Sequence, residues 1–176
     1  RFETRALRLS DVVMSTDGTR KLVLETHDGA RIESVLIPEE DRRTVCVSSQ
    51  VGCSLACAFC ATGRMGLGRN LSSGEIVDQV LSAAEVLAPI GERPTHVVFM
   101  GMGEPLLTLS AVLRAIETIR DDRGLGISPR RMTVSTAGVV TRMAELGQAV
   151  PVRLAVSLHA TTDPVRDRLV PLNRRF

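Results

Sequence analysis

Hydrophobic and polar positions change period once along this chain, near residue 44. Before that point, Lys21 to Thr26 and Arg31 to Ile37 alternate, the period of a strand with one buried face. Asp28-Gly29 between them predicts a hairpin turn, and Asp17-Gly18 marks an earlier one. Pro38 to Arg43 is a charged connector. Residues 1–43 therefore read as a small N-terminal β hairpin segment, and residues 44–176 as the main fold.

From Thr44 the pattern alternates between strand and helix. Thr44 to Val51 predicts a short strand, followed by a cysteine-bearing loop through Gly63, Gly66 and Gly68. Ser72-Ser73-Gly74-Glu75 is a capping box, and Ile76, Val77, Val80, Leu81, Ala84 and Leu87 fall on one face of the helix it opens. Val97 to Met100 is a second strand, with an amphipathic helix on Leu109, Val112, Leu113, Ile116 and Ile119 behind it. Met132 to Ser135 and Arg153 to Leu158 are the next strands. A helix around Thr141–Leu146 separates them, and another starts at Asp163-Pro164. Four βα units in series predict an α/β fold with a parallel sheet; a doubly wound sheet and a βα barrel both fit. In either, the loops after the strands carry the chemistry. The cysteine loop, Gly101–Pro105, Ser135–Gly138 and Ser157–Ala160 should therefore share one face.

Composition narrows the picture. With 44% hydrophobic and 24% charged residues the chain is an ordinary globular one. A net charge of +2 excludes a polybasic binder, and aromatics at 2%, all Phe, exclude an aromatic base-stacking platform. No secretory signal or membrane-length apolar run is present, and clustered cysteines point to metal or redox chemistry rather than a disulfide framework. The expectation is a cytoplasmic protein without a membrane partner. Arg1-Phe2-Glu3 is not a natural start, and the chain stops soon after a helix, so it reads as a piece of a longer protein.

Cys53, Cys57 and Cys60 have the spacing C-x3-C-x2-C. Three thiolates so spaced suit three irons of a 4Fe–4S cube, leaving a fourth iron open. Zinc would need a fourth ligand and favours paired C-x2-C spacing, and no histidine lies near this loop in the sequence. Three unrelated buried cysteines are the plain alternative. Phe59 would help keep water off a cluster. Gly101-Met102-Gly103-Glu104-Pro105 lacks the third glycine of a dinucleotide fingerprint. It is either a tight turn or a place where the backbone approaches a ligand, with Glu104 able to accept a hydrogen bond from an ammonium group. Ser135, Ser157 and His159 are either polar strand-end residues or ligand contacts. Taken alone, Glu33 is a solvated strand residue and Cys46 a small buried hydrophobe.

Together, Cys46–Cys53, the three-cysteine loop, Ala61-Thr62-Gly63, Arg69-Asn70-Leu71, Gly101–Leu107, Ser135-Thr136 and Ser157–Ala160 resemble the RlmN/Cfr family of radical S-adenosylmethionine (SAM) RNA methyltransferases. Gln50-Val51-Gly52 and Val170-Pro171-Leu172-Asn173 lean to the RlmN branch. The resemblance implies a partial βα barrel preceded by the hairpin layer, with a 4Fe–4S cluster on Cys53, Cys57 and Cys60. It implies SAM held by Gly103, Glu104, Ser135, Ser157, Leu158 and His159. It further implies methylation of carbon 2 of an adenosine in 23S rRNA, and of tRNA, by a monomer served by an electron donor such as flavodoxin. A carbon-8 methyltransferase of the Cfr type, or a non-catalytic iron–sulfur or zinc RNA-binding protein, are the alternatives. By resemblance Glu33 takes the base's ring proton, and Cys46 resolves a protein–RNA adduct by forming a disulfide. The methyl-carrying cysteine of the family has no counterpart, because no cysteine follows Cys60. The chain is therefore expected to bind the cofactors without methylating RNA.

Overall fold

The computed structural model describes residues 5–176, so the start read at Arg1-Phe2-Glu3 lies outside the described residues. Nine strands and five α-helices follow in order. The strands are β1 (Leu7–Met14), β2 (Arg20–Thr26), β3 (Arg31–Glu39), β4 (Arg42–Cys46), β5 (Gln50–Gly52), β6 (Leu67–Asn70), β7 (His96–Phe99), β8 (Met132–Thr136) and β9 (Arg153–Val156). The helices are α1 (Ala61–Arg64), α2 (Ser73–Leu87), α3 (Leu109–Arg120), α4 (Val140–Ala149) and α5 (Asp163–Leu169). Seven strands make one sheet in the order β1-β2-β3-β4-β7-β8-β9, and β5 and β6 pair separately. β1 to β4 are antiparallel; β4, β7, β8 and β9 are parallel, as the βα pattern predicts.

The boundary expected at 43/44 falls inside β4, which pairs with the hairpin strand β3 on one side and with β7 on the other. One hydrophobic cluster runs through both parts. Leu22, Leu24, Ile32 and Leu36 join Val45, Val97, Phe99, Met132 and Val134 beneath Ile76, Val80, Val112, Ile116 and Leu146 of the helices. The alternate residues of the same strands, among them Val35, Cys46, Val98 and Ser135, are only half-buried. Helices therefore cover one face of the sheet, and the other is left open.

The strand expected over Thr44–Val51 is in fact two strands. Gln79, fully buried on α2, breaks the ladder at Ser48. Its Oε1 accepts from the Ser48 amide at 2.7 Å and its Nε2 donates to the Ser48 carbonyl at 2.9 Å. β5 then turns to pair with β6.

The capping box is present. The Ser72 hydroxyl accepts from the Glu75 amide, and the Glu75 carboxylate accepts from the Ser72 amide. Ser72→Ala should cost about 1 kcal/mol, read as a lower urea midpoint. Arg69 donates to both Glu75 and Asp28, fastening the β2–β3 turn to α2. Bonds from Arg69 and Thr26 hold the Asp28 carboxyl well below the usual range. Burial pushes Glu75 up, but Arg69 and Ser72 outweigh it and its pKa is also depressed. Depressed carboxylates stabilise the fold above the unfolded range near pH 4, and that contribution fades as pH falls through the lower folded values. Arg69→Gln should therefore lower the urea midpoint more at neutral pH than at about pH 3.

Candidate active site

Three backbone hydrogen bonds bring the exits of β4 and β7 together. Val47 N–H donates to Val98 O, Gly101 N–H to Val47 O, and Ser49 N–H to Met102 O. Ser48 Oγ, donating to Glu33 O at 2.6 Å and accepting from the Met102 amide at 2.9 Å, adds a side-chain tie. Gln50, 1% exposed, completes the junction. Its Oε1 accepts from the Glu104 amide at 2.9 Å and its Nε2 donates to Asn70 Oδ1 at 2.7 Å. This arrangement explains Gly103: its φ is 97°, and a Cβ there would lie 2.6 Å from Gln50 Cβ. Gly52 enters the cysteine loop under the same constraint, since a Cβ would meet Gly66 O at 1.9 Å. Within the loop, Cys53 N–H donates to Gly66 O and Cys60 N–H to Cys57 O.

These ties open a cavity of about 290 Å³ at the C-terminal ends of β7, β8 and β9, lined by Cys53, Cys57, Cys60, Gly103, Glu104, Ser135, Ser157 and His159. The convergence expected from the strand-end loops is present. Ser135 Oγ and Ser157 Oγ are 3.3 Å apart across two strand ends. His159 has a left-handed backbone, φ 60°, and its ring lies 4.5 Å from that of Phe59. No histidine is near the cysteine loop in the sequence; in space the His159 ring packs against Phe59 of that loop, tilted by 48°. Phe59 itself is 52% exposed, so the His159 ring rather than burial covers part of it.

Glu104 is 2% exposed. Its Oε1 accepts from the Leu106 amide at 3.1 Å and its Oε2 from the Ala137 amide at 2.8 Å. Burial pushes its carboxyl up, and those amides offset the rise only in part. Burial also raises the Cys53 and Cys57 thiols, and the neighbouring cysteines and Glu104 add to the rise. Burial raises Cys46 too.

The remaining expected residues lie elsewhere. The Leu158 side chain lines a neighbouring cleft with Val140, Met143 and Arg166. Cys46 pairs with Val35 on the open sheet face, and Glu33 lies two residues from Val35 on that same face, bonded to Lys21 at 2.9 Å. Glu33 and Cys46 therefore share the open sheet face with Ser135, but neither lines the three-cysteine cavity. All four cysteines are free, so nothing in the chain supports the disulfide implied for Cys46. No local pattern in the sequence signals that Gln50 carries Glu104, 54 residues away. The largest cleft, about 1020 Å³, lies along the N-terminal ends of α2 and α3. Arg69, Glu75 and Asp78 there are engaged in ion pairs, and no cysteine lines it, so the cysteine chemistry belongs to the smaller cavity.

Three free thiols on one cavity wall are a donor set suited to an iron–sulfur cluster. Among the described residues no group of three His, Cys, Asp or Glu side chains is arranged to hold a single metal ion. No helix among them is long and apolar enough to cross a membrane.

Comparison with known proteins agrees with this geometry. The Radical SAM superfamily profile matches residues 47–174. A dual-specificity RNA methyltransferase RlmN of Geobacter sulfurreducens is 55% identical over 93% of this chain, which spans 44% of that protein. The protein of the same name from Alkalilimnicola ehrlichii is 51% identical over 98% of this chain and 49% of its own length. The crystal structure of a radical SAM methyltransferase from Sphaerobacter thermophilus superposes with a TM-score of 0.95 at 46% identity, covering 98% of this chain and 51% of that one. The chain spans about half the length of the relatives it matches. It belongs to the radical SAM superfamily, and its relatives there are RlmN-type methyltransferases.

Proposed function

We propose that this chain is the cluster- and SAM-binding half of an enzyme that methylates carbon 2 of an adenosine in 23S rRNA, and in tRNA. One observation carries the reading: three free thiols of a single loop share a cavity with a buried carboxylate at the ends of parallel strands. Cys53, Cys57 and Cys60 would hold a 4Fe–4S cluster. Bound there, the cluster supplies the electron that splits the sulfonium of SAM, chemistry suited to a ring carbon that is neither acidic nor nucleophilic. Glu104, ionised and fixed by the Leu106 and Ala137 amides, accepts hydrogen bonds from the SAM ammonium. Gly103 lets that group approach the backbone. Ser135 and Ser157 supply hydroxyls for the ribose side, and the His159 ring, stacked on Phe59, shields the cavity mouth from water. Glu33 and Cys46, on their shared sheet face, take the ring proton and resolve the protein–RNA adduct.

With no cysteine after Cys60, the chain alone should transfer no methyl group to an rRNA fragment. Joined to the parts of the Geobacter sulfurreducens relative that lie outside the matched stretch, it should. Nucleosides from the treated RNA would be separated and identified by mass. 2-Methyladenosine is the expected product; 8-methyladenosine or no methylated adenosine would contradict the proposal.

A further inference from the structure

Arg166 on α5 makes three side-chain hydrogen bonds, each to a neutral oxygen. Its Nε donates to Leu158 O at 3.1 Å and one terminal nitrogen to Ala137 O at 2.6 Å. The other terminal nitrogen donates to Asn173 Oδ1. Ala137 follows β8 and Leu158 follows β9, so one planar guanidinium joins two loops that end at the cavity. Both tied carbonyls sit beside cavity groups. The Ala137 amide donates to Glu104, and Leu158 precedes His159 with its left-handed backbone. The guanidinium also lies against Gly138, where a Cβ would be 3.2 Å from its nitrogen.

The same helix reaches the cysteine loop. Leu169 O at its C-terminal end accepts from the Ala58 amide at 2.9 Å, between Cys57 and Cys60. α5 therefore touches all three parts of the cavity wall: the cysteine loop, the loop behind Glu104 and the loop bearing His159. Asn173 is itself held, donating to Asp167 at 2.7 Å and Asp163 at 3.3 Å, so the clamp has a fixed back.

We propose that Arg166 is a positioning residue for the ligand cavity. Its fork sets the spacing between the Glu104-facing amide and the His159 loop, while the cysteine loop is tied to α5 by the Leu169 carbonyl and not by the fork. The inference rests on the cavity being the SAM site. Lysine carries the same charge but not the planar fork, so it cannot bond all three oxygens in this arrangement.

The test compares the full chain with Arg166→Gln, Arg166→Lys and Val170→Ala. The last removes fully buried packing at the end of α5 and leaves every side-chain bond of the clamp in place. Each would be loaded anaerobically with iron and sulfide, then titrated with SAM while the EPR signal of the reduced cluster is followed. Arg166→Gln should keep its iron content and bind SAM about tenfold more weakly, because the clamp that positions the cavity wall is lost. Arg166→Lys should recover only part of that loss, and Val170→Ala should bind SAM like the parent below its melting temperature. Equal weakening in Arg166→Gln and Val170→Ala, or a change under twofold in Arg166→Gln, would overturn the proposal. Hydrogen exchange on the unloaded chain judges it even if the parent binds no SAM, an outcome that would sink the SAM reading instead. The Ser157 and Ala160 amides, bonded to Thr136 O and Leu158 O, should exchange faster in Arg166→Gln and remain protected in Val170→Ala. Unchanged exchange in Arg166→Gln would refute the clamp.

Discussion

Cys57→Ser should leave the folded chain unable to hold an iron–sulfur cluster. After anaerobic loading, the absorbance near 400 nm should be lost and iron should fall from about four per chain to a trace. A serine hydroxyl stays protonated where a thiolate ligand is needed. The effect should not come from unfolding, because Cys57 is only half-buried and takes no part in the hydrophobic core. Cys46→Ser supplies the contrast. Cys46 lies on the open sheet face, outside the cavity, so this variant should load iron like the parent. Iron retained in Cys57→Ser would mean that the cluster sits elsewhere.

Glu104→Gln should keep the iron and weaken SAM binding by roughly 10- to 100-fold, the scale of a lost charged hydrogen bond in a buried site. Glutamine keeps one acceptor oxygen, but its NH2 group must then face either the Leu106 or the Ala137 amide, two donors opposed. The pH dependence separates charge from shape. Burial raises the Glu104 carboxyl, so the free cavity keeps its proton to a higher pH than an exposed glutamate does. An ammonium ligand selects the ionised form, so SAM affinity should rise with pH through that raised value, and Glu104→Gln should be flat over the same range. The same shift works against folding. From the unfolded value upward the folded state binds the proton more tightly, so stability declines as pH rises to the folded value and then levels.

The parts of this fold that are legible in the sequence are those written locally. Asp28-Gly29 turns the hairpin between β2 and β3, and Ser72 with Glu75 opens α2, because each depends on residues within one turn of each other. The convergence at the strand ends was legible through topology alone: parallel strands put all their exits on one side. What stayed hidden depends on distant partners. The break at Ser48 is made by Gln79, 31 residues away. β6, Leu-Gly-Arg-Asn, has no apolar period and exists by pairing with β5, where Gly68 lets Val51 pack close. The irregular register between Leu9 and Asp11 removes the alternation that would have marked β1.

The site divides the same way. The cysteine spacing is a local signal, and so is the run around Glu104. Their junction through Gln50 spans 54 residues and is visible only in three dimensions. The stacking of His159 on Phe59 arises because β9 is the last strand of the sheet and its exit loop folds back over the cysteine loop.

The central claim is that the three thiols hold a cluster with one iron open to SAM. EPR of the loaded, reduced chain with and without SAM tests it most directly. The account predicts the signal of a reduced 4Fe–4S cluster whose g-values shift when SAM is added, with no shift in Glu104→Gln at the same concentration. A signal indifferent to SAM in the parent chain, or one zinc per chain with no iron uptake, would contradict it.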